Sequence, residues 1–165
     1  MREIYAGLED VLAWDFHFWL QRGAFEVDVP NIEGAEVFLT QAVALAPNDY
    51  HVQTEWAHMQ LKKACRLAEL GDSTGKKIAD EAFIDLHDVI WRRGKRDSYP
   101  YHVLGSQGLA WSRRALMSAE DRASLLRELL ETVREGRKNH RRNSDLQVLD
   151  FDLYQEYLRC ANPPT

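Results

Sequence analysis

A chain of 165 residues has the length of one domain, and its hydrophobic fraction of 45% is enough to build a substantial core. Charged residues make up an ordinary 28%, and no apolar run reaches the roughly 18 residues that a membrane span requires. Three carboxylates near the start, Glu9, Asp10 and Asp15, argue against a secretory signal, so the sequence predicts a cytoplasmic protein with no membrane segment.

The net charge of -5 is unevenly distributed along the chain. Residues 1–90 contain 7 Lys/Arg against 16 Asp/Glu, whereas residues 91–165 contain 14 against 10. Such a distribution can steer an acidic partner or RNA to one end, although cations also gather at ordinary solvated helix C-termini. The predicted basic patch comprises Arg92, Arg93, Arg96, Arg113 and Arg114, and a further basic run holds Arg137, Lys138, Arg141 and Arg142.

Helical periodicity dominates the chain, and Gly and Pro occur mainly at breaks. We predict helices over residues 3–13, 16–27, 32–45, 50–70, 76–93, 101–116, 119–138 and 144–161. Asn48 or Asp49 is expected to cap the fourth helix, and Ser118 with Asp121 forms a capping-box pattern before the seventh. Short loops join consecutive helices as antiparallel neighbours, so the sequence predicts one all-α domain over residues 1–165.

One stretch, residues 16–49, has the pattern of a complete helix-turn-helix repeat. Its signature residues are Trp19, Gly23, Ala35, Leu39, Ala42 and Pro47. This arrangement resembles the tetratricopeptide repeat, a 34-residue unit with large, small and proline residues at such positions. The resemblance is good over this unit and faint over the following helix pairs. It implies an irregular helical-repeat fold with a right-handed superhelix.

The same resemblance implies a binding scaffold, not an enzyme, with a groove lined by the first helix of each pair. The expected groove residues are His17, Gln21, His51, Glu55, His58, His102 and Gln107. Families of this kind bind extended peptides or partner helices there, so we expect a protein or peptide partner and no cofactor. The sequence is also compatible with a homo-oligomer. The alternative for these histidines is an ordinary surface or half-buried position.

The spacing of His51, Glu55 and His58 puts all three on one helical face, where imidazole and carboxylate groups could ligate zinc. Seven residues span about 10.5 Å, too far for both histidines to reach one ion. Glu55 and His58 also form one Glu-x-x-His pair, but di-iron bundles need a second pair. The sequence therefore predicts no metal site.

Arg96 and His102 carry a second resemblance. An Arg, a polar residue, four further residues and a His resemble the active-site motif of the HEPN ribonucleases, which are also small all-α proteins. That resemblance would assign metal-independent catalysis to Arg96 and His102, although Pro100 is expected to interrupt the helix that displays the motif. An RNA-binding module that uses the basic half of the chain is the related alternative.

The remaining candidates for chemistry are few. Gly71 to Gly75 lacks the Gly-Lys-Ser/Thr ending of a phosphate-binding loop. Cys65 and Cys160 lie far apart, and we expect two buried free thiols instead of a disulfide. The aromatic cluster around Trp14 and Trp19 is interpreted as core packing and not as a platform for bases.

Overall fold

The computed structural model describes residues 2–161, and all regular structure in this range is helical. The eight helices are α1 (Arg2–Leu12), α2 (Phe16–Asp28), α3 (Ile32–Leu45), α4 (Tyr50–Glu69), α5 (Thr74–Arg93), α6 (Tyr99–Arg114), α7 (Ala119–Asn139) and α8 (Ser144–Ala161). The predicted all-α class and the number and order of the helices are confirmed for these residues.

Two helices begin two residues earlier than predicted, for reasons visible in their first turns. Helix α5 begins two residues early, because Asp72 accepts hydrogen bonds from the backbone N–H and the hydroxyl of Thr74. Helix α6 also begins two residues early, with Pro100 in its first turn, where a missing N–H costs nothing. Pro100 therefore does not interrupt this helix, contrary to expectation.

The contacts within the chain group into two compact units, residues 1–59 and 60–165, and the boundary falls inside α4. The sequence predicts one domain, and that assignment stays a prediction. The first unit contains α1, α2, α3 and the start of α4, and the second contains the rest of α4 and α5 to α8.

The first unit is built on the α2–α3 hairpin. Gly23 on α2 faces Leu39 on α3 so closely that a Cβ at Gly23 would lie 2.6 Å from the leucine side chain. Ala35 and Ala42 are completely buried, as the small-residue pattern predicts. Trp19 stacks on Phe38 with ring centroids 6.1 Å apart. The core of the unit is completed by Phe18, Leu20, Val27, Ile32, Val52 and Met59.

Polar side chains close the turns of this unit. At the α2–α3 turn, Asn31 accepts from the Gly34 N–H and donates to the buried Glu26 carboxylate at 2.6 Å. At the start of α4, Asp49 accepts from the N–H groups of His51 and Val52. Of the two expected caps, the structure therefore selects Asp49 and not Asn48.

The second unit packs α6 against α5, α7 and α8. Gly105 lies against Val133 and Leu149, and Gly108 lies against Leu129, each within 2.7 Å of where a Cβ would stand. Small residues thus let α7 and α8 approach α6 closely. Ser118 caps α7 by accepting from the Asp121 N–H, as the sequence predicts, whereas Asn143 caps α8 by accepting from the Leu146 N–H.

Candidate functional site

The expected groove residues of α2 are both on the surface of the first unit. His17 is exposed, and its Nδ1 lies 3.1 Å from the Asp15 carboxylate that also caps the helix. Gln21 is exposed one turn further along α2. Both side chains are therefore accessible to a ligand, although nothing in their geometry defines a groove.

The expected groove residues of α4 divide between surface and interior. His51 is exposed beside the Tyr50 ring, at 3.9 Å between centroids. Glu55 and His58 are buried, so they are not accessible to a ligand as the expected groove requires. Their side chains lie 3.4 Å apart, but the orientation makes no hydrogen bond to Nδ1 of His58, which has no such partner among residues 2–161.

The remaining groove residues, His102 and Gln107, are half-buried on α6 in the second unit. Arg96 is exposed and lies before the start of that helix, whereas His102 lies in its first turns. The pair is therefore not displayed along one helix as the HEPN motif requires.

The five residues of the predicted basic patch do not form one surface. Arg92, Arg93 and Arg96 lie near the start of α6, and Arg113 and Arg114 lie at its end, about 24 Å away for a helix of 16 residues. Guanidinium groups of this set are also paired with carboxylates. Arg92 pairs with Asp88, Arg113 with Glu156 and Arg114 with Glu69.

A different set of basic residues converges instead, and we call it the basic end. It comprises Arg93, Lys95 and Arg96 from the α5–α6 loop region and Lys138, Arg141 and Arg142 from the α7–α8 loop region, all exposed. The two loops meet because antiparallel helices return the chain to the same end of the unit. The run after Arg137 is visible in the sequence, but only the fold reveals that it lies beside the loop around Lys95.

Two hydrogen bonds join the two loops of the basic end, and a third joins the ends of α7 and α6 beside them. The His140 ring donates to the Gly94 carbonyl at 2.6 Å, Asn143 donates to the Ser98 hydroxyl at 2.9 Å, and Asn139 donates to the Tyr101 hydroxyl at 3.2 Å. Tyr101 is only 1% exposed, and burial raises the pKa of its phenol. These hydrogen bonds hold the two loops in place, and the cationic side chains extend from them into solvent.

A second basic feature borders the basic end. Asp150, buried on α8, receives hydrogen bonds from Arg134 at 3.0 Å and from Arg137. A wide depression of about 530 Å³ is lined by these three residues with Lys138 and Arg141. One carboxylate thus orders two guanidinium groups beside two further cations, which leaves the depression with a net positive charge.

Apolar side chains are exposed on the outer face of α8. Val148, Phe151 and Tyr154 point away from the buried face of the helix, which carries Leu149 and Leu153. Phe151 is 62% exposed. The Arg134 guanidinium lies 5.6 Å from the Tyr154 ring and borders this outer face of α8.

Helix α1 in the first unit has a comparable outer face. Ile4, Leu8 and Val11 are exposed at helical spacing, whereas Tyr5 packs edge-on against Phe18 at 5.9 Å. Exposed apolar rows of this kind are typical of surfaces that contact another protein.

Residues 2–161 offer neither a membrane span nor a metal site. None of the helices there combines the length and the apolar character needed to cross a bilayer. The same residues contain no group of three or more His, Cys, Asp and Glu placed to hold a metal ion. Cys65 is buried and Cys160 half-buried, both as free thiols.

No protein-family model matches the chain, and searches of curated proteins and of solved structures find no similar protein.

Proposed function

We propose that this chain is a non-enzymatic, tetratricopeptide-like scaffold that binds a partner protein or peptide in the cytoplasm. The observation that carries the proposal is the outer face of α8, where Val148, Phe151 and Tyr154 expose apolar area that the unit itself does not cover. Burial of apolar area at about 25 cal/mol per Å² is the main driving force for protein association.

Two further features support this proposal. In the α2–α3 hairpin, Gly23 lies against Leu39, and Ala35 and Ala42 are completely buried. This close packing at small residues agrees with the tetratricopeptide pattern. The outer face of α1 also exposes an apolar row at helical spacing. Stacked helical arrays commonly use such outer faces for the next layer of protein.

The experiment compares the proteins that the wild-type chain and two double variants each capture at stoichiometric yield. Val148→Asp with Phe151→Asp places charge on the outer face of α8. Ile84→Asp with Trp91→Asp is the matched control, because it removes two exposed apolar side chains from α5 in the same unit. Circular dichroism and thermal midpoints establish that each variant folds.

We expect one protein to be captured by the wild type and by the α5 control and to be lost with the α8 variant. Capture that is equal for all three chains, or absent for all three, would overturn the assignment of this face. Loss with the α5 control alone would overturn it as well.

An RNA-binding module is a second candidate, and the hydrogen-bonded meeting of two cationic loops at the basic end favours it. Lys and Arg side chains on phosphates supply sequence-independent affinity that falls steeply with salt. In its ribonuclease form this candidate assigns catalysis to Arg96 and His102, so His102→Ala would abolish cleavage without weakening binding.

Fluorescence anisotropy with a labelled single-stranded RNA tests this candidate. Arg141→Gln with Arg142→Gln should weaken binding and reduce its salt dependence. Arg113→Gln with Arg114→Gln, at the far end of α6, should leave both unchanged. Equal losses in the two double variants would show that the basic end is not the site.

A further inference from the structure

A cavity of about 420 Å³ opens in the second unit beside the turn between α4 and α5. Three helices contribute side chains at helical spacing: Asp80 and Phe83 from α5, Trp111 from α6, and Asp121 and Leu125 from α7. The volume falls in the range of sites that bind small molecules, about 300–1,000 Å³.

The inner walls of this cavity are apolar and aromatic. Trp111 is buried, and Phe83 and Leu125 are half-buried. Leu116 stands at the rim with 92% of its surface exposed. An aromatic wall offers dispersion contacts and the negative face of a ring, which attracts cations.

The polar lining is predominantly acidic. Asp72, Asp80 and Asp121 contribute three carboxylates, and Lys76 is the opposing cation among the lining residues. Hydrogen bonds from Thr74 lower the pKa of Asp72 and keep it ionised. The carboxylates of Asp72 and Asp121 each use one oxygen in a helix cap, Oδ1 and Oδ2 respectively, so the second oxygen can accept from a ligand.

We propose that this cavity binds a small organic cation with an apolar body, such as an aromatic or aliphatic amine. The body would pack on Phe83 and Trp111, and the ammonium group would lie near the carboxylates of the rim. The acidic lining disfavours an anion of the same shape, because like charges repel, and it gives a neutral analogue no ion pair. The site is separate from the outer face of α8 and goes beyond the proposed protein binding.

The test uses three probes of similar shape on the full chain: phenethylammonium, phenethyl alcohol and phenylpropionate. Binding is followed by NMR at the Trp111 indole N–H, assigned by its loss in Trp111→Phe. We expect saturable shifts with phenethylammonium. Its affinity should be about fivefold higher than that of phenylpropionate, because an exposed ion pair contributes up to about 1 kcal/mol.

Charge variants provide the second readout. Asp80→Asn should weaken phenethylammonium binding, and Lys76→Gln should strengthen it. Glu81→Gln is the matched control, since it removes the same charge from the neighbouring position of α5 outside the cavity lining, and it should change nothing. Asp80 is exposed, so its replacement leaves the core intact.

Equal or tighter binding of phenylpropionate would overturn the proposal. Probe-induced shifts at other residues but not at the Trp111 indole N–H, or the absence of saturable binding, would overturn it as well. Failure here would leave the capture experiment on the α8 face unaffected.

Discussion

Gly23 lies against Leu39 at a distance that leaves no room for a side chain between α2 and α3. A Cβ there would also come within 3.3 Å of the Leu39 backbone nitrogen, which cannot yield as a flexible side chain does. The contact fixes how close the two helices lie, and the small residues elsewhere in the hairpin depend on that spacing.

Ala35→Leu should therefore overpack the first unit. Ala35 is completely buried, and added methylene groups in a packed core cost roughly 1–3 kcal/mol in the free energy of unfolding. Urea denaturation measures the loss. Ala44→Leu is the control, because Ala44 is exposed on the same helix. An unchanged midpoint for Ala35→Leu would contradict the close packing of this hairpin.

Asp49→Ala should destabilise the start of α4. The Asp49 carboxylate satisfies two N–H groups that have no partner within the helix, and loss of such a cap costs about 0.5–2 kcal/mol. The neighbouring Asn48→Ala should stay within about 0.5 kcal/mol of the wild type, since Asn48 is exposed. Thermal unfolding of both variants decides the matter, and equal losses would show that the cap is shared.

Asp85→Asn should stabilise the chain at neutral pH and lose that effect in acid. Partial burial, followed by the charges of Asp88 and Glu81, raises the pKa of Asp85 in the folded state. The folded chain thus binds this proton more tightly than the unfolded chain, so the penalty exists only above the titration range of the carboxyl group.

The expected gain from Asp85→Asn is about 0.2–0.5 kcal/mol, the size of an unfavourable pair one helical turn apart. Urea denaturation at neutral pH and at a pH below the carboxyl range measures it. A gain that persists at low pH would mean that the charge of Asp85 is not its cause.

The two thiols should react with iodoacetamide at different rates. Burial limits the access of reagent to Cys65 and also raises the pKa of its thiol, so that less of it is thiolate near neutral pH. Cys160 is only half-buried and is therefore more accessible. Mass spectrometry over time should show Cys160 modified first, with both sites modified at similar rates in urea. Faster modification of Cys65 in the folded chain would contradict its burial.

The helices themselves were predictable, because apolar periodicity and the positions of Gly and Pro are local signals. Which face of a helix is buried is not local. Glu55 and His58 are polar, and the repeat resemblance predicts them in an open groove, yet both are buried. The choice between Asn48 and Asp49 was equally beyond the sequence, since both residue types cap helices well.

Which basic residues lie close together in space is also not predictable from the sequence. Arg92 and Arg114 belong to one predicted patch, yet α6 separates the two runs by its whole length. Arg96 and Arg142 are distant in sequence, and the loops that carry them are joined by hydrogen bonds. These loops lie close together because successive helices run in opposite directions, and the distribution of charges along the sequence gives no information about that.

The contacts of α2 with α3, of α6 with α7 and of α7 with α8 join helices that are consecutive in the chain. Each such pair forms by closing a loop of only a few residues, which costs little chain entropy. Local topology of this kind is associated with folding in microseconds to milliseconds. The α6–α8 contact requires a longer closure, so we expect the consecutive pairs to form first and the docking of α8 on α6 to complete the second unit.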